Sequence, residues 1–150
     1  MRQIKAKILL FLLLVGSLSL PPYSGVQAQN KGSDRQAVAM LKAFYRAHIT
    51  AASKWPIDFA KLNAISKKYC TASLLSKIQA QLKSGQLDAD PFLQAQDVDI
   101  SWLKTLSFAR EARPLNAYTV SYVDAVSNEK VVIHLTVSKQ GDRFKISAIR

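Results

Sequence analysis

From Ser33 onward the apolar positions recur at first every three or four residues and later every second residue. The change of period near Gly85 divides the chain into a helical half and a strand-rich half. Ala37, Met40, Leu41, Phe44, Tyr45 and His48 share one helical face, so a first helix is predicted over about residues 34–50, opened by a capping box of Ser33 and Gln36. Pro56 reopens helix after a break, and Phe59, Leu62, Ile65 and Tyr69 carry the period on to Cys70. Thr71 is placed to cap a third helix that points Leu74, Leu75, Ile78 and Leu82 inward and ends at Gly85.

Beyond Gly85 an acidic stretch, residues 87–100, separates the helices from four segments of alternating or β-branched and aromatic character: 103–110, 117–124, 130–138 and 143–149. Turn chemistry falls between them, at Pro114-Leu115-Asn116, Ser127-Asn128-Glu129 and Gln140-Gly141-Asp142. Three helices followed by four strands on short turns predict an α+β domain, with N-terminal helices packed on one side of a four-stranded antiparallel sheet.

The first 28 residues are set apart from this pattern. Arg2, Lys5 and Lys7 precede an apolar core over residues 8–20, and Pro21-Pro22 leads to Val26-Gln27-Ala28, the three regions of a secretory signal peptide with cleavage after Ala28. An apolar core of about 13 residues is too short to span a membrane, which takes about 20, and no Cys follows it to carry a lipid. The expected product is periplasmic or secreted and not membrane-anchored, with a short flexible leader over residues 29–32 and a single domain over 33–150.

Charge changes the picture only in part. The chain of 150 residues has 21 Lys and Arg against 10 Asp and Glu. Loss of the leader takes three bases and no acid, leaving 18 against 10, a net of +8. Export removes the protein from nucleic acid, and the lysines are scattered, so the excess reads as a solvated basic surface or a docking surface for an acidic protein or polymer.

The chemical inventory is mainly one of exclusions. After processing only Gly32, Gly85 and Gly141 remain, too few for a phosphate loop, a dinucleotide fingerprint or a nucleophile elbow. Ser101-Trp102-Leu103-Lys104 matches the Ser-x-x-Lys of penicillin-binding enzymes, but its companion motifs are missing. A single cysteine excludes a disulfide within the chain. His48 reads as a hydrogen-bonded core histidine, His134 as a sheet-face one and Cys70 as a buried apolar residue, so no metal or other cofactor is expected. Asp88, Asp90, Asp97 and Asp99 could converge on calcium, but the spacing is not that of an EF-hand. The structural alternative has Asp90 capping a short helix, with Pro91 at its first position and Phe92 and Leu93 aimed into the seam between helices and sheet. Tyr118, Val120 and Tyr122 share one strand face; with Trp102 and Phe92 they form either core or the wall of a concave pocket.

Three blocks carry a family resemblance: Phe44-Tyr45, then Lys68-Tyr69-Cys70-Thr71 with Leu74, then Asp88-Ala89-Asp90-Pro91-Phe92-Leu93-Gln94-Ala95-Gln96-Asp97. In these the chain resembles the YbjP/YqhG-like exported bacterial proteins, a domain family of unknown function. The resemblance implies a helix-and-curved-sheet fold similar to nuclear-transport-factor-like and cystatin-like domains. It implies no established activity, although some relatives look like immunity proteins that neutralise cell-wall amidases. The sequence as a whole predicts a non-enzymatic exported domain that binds a protein partner, with a small-ligand pocket on the sheet as the alternative. Trp102, Tyr118, Tyr122 and His134 are the candidate contact residues, and Asp90, Pro91, Phe92 and Asp97 a structural motif.

Overall fold

The structure, a computed structural model, describes residues 24–150 and side chains from Gly32 onward. Most of the expected signal peptide therefore lies outside the described residues. Helix α1 (Ser24–Ala52) buries Ala37, Leu41, Phe44, Tyr45, His48 and Ile49, the three-and-four spacing that the sequence shows. Helices α2 (Phe59–Tyr69) and α3 (Ala72–Lys83) follow, then a short 3₁₀ turn (Ile100–Lys104) and strands β1 (Ser107–Arg110), β2 (Ala117–Val123), β3 (Lys130–Gln140) and β4 (Arg143–Ile149). The strands form one open antiparallel sheet in the order β1-β2-β3-β4. Helix α1 lies across its inner face, touching both edge strands, so the expected α+β layering of helices on one side of a four-stranded sheet is what is found.

The register explains which residues fill the core. On β2 and β3, Tyr118 stands opposite Leu135, Val120 opposite Ile133 and Tyr122 opposite Val131, and this face looks toward α1. Thr119 opposite His134 and Ser121 opposite Val132 belong to the other face. A bulge between Thr136 and Val137 shifts the pairing with β4, after which Ile146 stands opposite Val137 in the core. The free edge of β4 is partly covered from within the chain: Cys70 forms a parallel bridge to Ile146, and the Thr71 N–H donates to the Ile146 carbonyl at 2.9 Å.

Helix ends follow local chemistry. The Asp58 carboxylate accepts from the Lys61 N–H and opens α2. The Thr71 hydroxyl accepts from the Leu74 N–H and opens α3, as the sequence predicts. Gly85 closes α3 at φ 71°, with its own N–H bonded to the Leu82 carbonyl and the next N–H, of Gln86, bonded to the Gln81 carbonyl. That paired arrangement needs the left-handed backbone that glycine adopts at least cost. Gly141, at φ 58°, occupies the first of the two loop positions between Gln140 and Arg143 and turns β3 into β4.

Four expectations are corrected. Helix α1 runs through Gln29–Gly32 and past Ser33, where a leader and a cap are predicted, because the Gln, Lys and Ala around them are helix formers that one glycine does not stop. Strand β1 starts at Ser107, not at 103. Asp99 accepts from the Ser101 N–H and winds the preceding residues into a 3₁₀ turn that buries Trp102. Residues 91–94 form a hydrogen-bonded turn instead of a short helix, closed by the Asp90 N–H donating to the Ala95 carbonyl at 2.9 Å. Finally, α2 has no fully buried residue: Phe59 and, on α3, Leu82 are exposed although both continue an apolar helical face.

Two measurements test this packing. Truncation of buried Phe92 is expected to cost about 3–5 kcal/mol in urea unfolding. Tyr45→Phe is expected to leave stability unchanged or raised, because the buried Tyr45 hydroxyl has no hydrogen-bond partner among the described residues. A loss of stability on removing that hydroxyl would reveal a partner such as an ordered water.

Candidate functional site

The sequence-predicted contact residues do not form a site. Trp102 is buried and stacks on Tyr122, with ring centroids 4.2 Å apart, and the Tyr122 hydroxyl donates to the Leu93 carbonyl at 2.7 Å. Tyr118 is also buried and donates to Asp34, which pairs in turn with Arg110. All three aromatics are buried, and helix α1 and the Asp90 loop cover most of the inner face of the sheet; a pocket of about 220 Å³ remains where Tyr118 and Val137 meet Asp34, Arg110 and Phe144. The cover follows from the length and apolar width of α1, which touches both edge strands. His134 lies on the opposite face, half exposed, where its Nδ1 meets Glu111 at 2.8 Å; Arg150 donates to the same carboxylate oxygen at 2.7 Å.

The acidic motif does something more specific than capping. One Asp90 oxygen, Oδ1, accepts from the Phe92 N–H at 2.8 Å, and the other, Oδ2, lies 2.6 Å from His48 Nε2. The loop is thereby fastened to α1. The Phe92 ring packs against Phe44 and His48, with centroids 4.9 and 5.4 Å away, and the Phe44 ring reaches Tyr69 at 5.9 Å. Phe44, Tyr69 and the Asp90–Phe92 turn thus meet at one aromatic junction. Asp97, placed with this motif on sequence grounds, is exposed and takes no part in it. Among the described residues no three His, Cys, Asp or Glu groups are placed to hold a metal ion. Cys70 is buried beside the junction, and burial pushes its thiol up to about 12 despite the nearby Lys145. A thiol so protonated is inert as a nucleophile or ligand.

A groove of about 830 Å³ opens where the C-terminal end of α1, helices α2 and α3 and the acidic loop come together. Its apolar side chains include Trp55, Phe59, Leu62, Ile78, Leu82 and Leu87, and its acidic side has Asp88, Asp90 and Asp97. Trp55 is 90% exposed, Phe59 74% and Leu82 55%, so three large apolar side chains stand in solvent around one trough. Helical spacing places Phe59 on an apolar face and points Leu82 inward, and Trp55, in the break before α2, belongs to no periodic pattern. The available signal was length: two apolar helical faces continue past the point at which the small sheet can cover them.

No family model and no curated protein matches the chain. Among solved structures, a Bacteroides thetaiotaomicron protein of unknown function superposes with a TM-score of 0.70 at 29% identity, over 83% of this chain and 98% of its own. That likeness supports the same arrangement of three helices on a four-stranded sheet.

The pH dependence of stability follows from the site and its surroundings. Hydrogen bonds from Arg150 and then His134 hold the Glu111 carboxyl below its ordinary range, so its contribution is present at neutral pH and lost as the pH falls. Burial raises Tyr118 and Tyr122 to about 12, so the stability they give as neutral phenols is present below their ordinary value and lost as the pH rises toward 12. Urea midpoints measured across pH should therefore fall at both ends. Glu111→Gln is expected to make the acid limb shallower without altering the alkaline one; Asp99 and Asp124, held low by the Ser101 and Ser127 N–H groups, keep the rest of it.

Proposed function

We propose that this protein is a non-catalytic binding domain, exported to the periplasm or secreted, that holds a segment of a partner protein in the groove between its helices and acidic loop. One observation carries the reading: Trp55, Phe59 and Leu82 are exposed together around an apolar trough, an arrangement that marks interaction sites far more often than solvated surface. His48 and Asp90 bind each other and fasten the loop, and Cys70 is a buried, protonated thiol. The family resemblance adds a cell-wall amidase as one candidate partner in the envelope.

The test compares the protein with a Phe59→Ser/Leu82→Ser variant, immobilised and challenged with envelope extract. Both side chains are exposed, so the variant should melt within a few degrees of the parent. A partner retained by the parent and lost by the variant is the expected outcome. A partner held equally by both, or turnover of peptidoglycan fragments by the purified protein, would overturn the proposal.

A further inference from the structure

The groove has a charge opposite to that of the protein around it. The chain has 21 basic residues against 10 acidic ones, yet the charged side chains lining the groove are Asp88, Asp90 and Asp97 with a single cation, Lys54. Asp90 is committed to His48 and to the Phe92 N–H. Asp88 and Asp97 are exposed and make no ion pair or side-chain hydrogen bond among the described residues. The isolated antiparallel bridge between Asp90 and Ala95 closes the turn between them, and Asp88 and Asp97, on either side of it in the chain, both line the groove. Two carboxylates without a partner on one groove favour a cation there. The unpaired charges on this side of the groove are carboxylates, and the side chains across from them include Trp55, Phe59 and Leu82.

Resting on the reading of this groove as a protein-binding site, we propose that its occupant is a cationic amphipathic segment of the partner. Its large apolar side chains lie in the trough between Trp55, Phe59 and Leu82, and a Lys or Arg lies between Asp88 and Asp97. The apolar contacts hold the segment. The carboxylate pair selects its charge and sets its register, since opposite charges at an interface rim govern choice of partner and association rate.

Selection from a library of random 16-residue peptides displayed on phage separates the two levels of this inference. Binders recovered on the protein should be enriched about threefold or more in Lys and Arg and also in large apolar residues. Selection on an Asp88→Asn/Asp97→Asn variant should keep the apolar enrichment and lose the basic one. A synthetic peptide taken from the parent selection should bind the variant about ten-fold more weakly, the loss typical of removing a charged partner. Its binding to the parent should shift the Trp55 emission to the blue and weaken with salt. Both aspartates are exposed, so an unchanged melting temperature confirms that the variant is folded. Apolar enrichment without basic enrichment, or with acidic enrichment, overturns the cationic assignment and leaves the groove reading intact. Binders indifferent to Phe59→Ser/Leu82→Ser overturn both, and so does a concentration-dependent dimer in sedimentation that the same variant abolishes, since the groove then belongs to a second copy of this chain.

Discussion

The domain is organised around the Phe44 ring. Phe44 is fully buried on α1 and has Tyr45 and His48 beside it on the same helix, Tyr69 of α2 and Phe92 of the acidic loop around it, all within 5.9 Å between centroids. Among the described ring contacts of α1, those of Phe44 alone reach both the second helix and the loop. The sheet gives α1 a surface to lie on, but the junction at Phe44 determines where α2 and the loop stop. Their free edges define the groove.

A loop of 16 residues between α3 and the 3₁₀ turn has little backbone pairing of its own to hold it, and here three side-chain devices replace it. Asp90 receives the Phe92 N–H and reaches His48, the Tyr122 hydroxyl takes the Leu93 carbonyl, and the Phe92 ring is buried against α1. Gln94 adopts a left-handed backbone at φ 54°, a conformation that costs a non-glycine residue about 1 kcal/mol and persists only when its surroundings impose it. The wall of the groove is therefore a fixed surface, which favours a preformed binding site.

How much of this could be read from the chain depended on whether a residue's role was local. The face of α1, the Thr71 cap, the Gly85 stop and the alternation on β2 and β3 all follow from neighbours three, four or two residues away, and these were legible. The role of Asp90 was legible as far as its bond to the next turn. Its second bond, to a histidine 42 residues earlier, depends on tertiary placement that no spacing encodes. The aromatic face of β2 was ambiguous for the same reason: Tyr118 and Tyr122 suit a pocket wall as well as a core until the width of α1 across the sheet is known. Phe59 and Leu82 were misplaced because periodicity shows that a helix has an apolar face and gives no measure of how far the opposing surface extends.

That last distinction connects the fold to its use. An apolar stripe longer than its cover is a standing cost to solubility, and burying a residue such as Leu82 within the domain would require only a longer loop or a wider sheet. The chain instead ends its cover at the acidic loop and places two unneutralised carboxylates at that boundary, in a protein with basic residues in twofold excess. Neither feature contributes to folding: exposed apolar area gives no burial, and the two carboxylates have no ion-pair partner among the described residues. Both become favourable once a segment supplying apolar side chains and positive charge occupies the trough, so the two local departures from a well-folded surface are resolved by the same kind of partner.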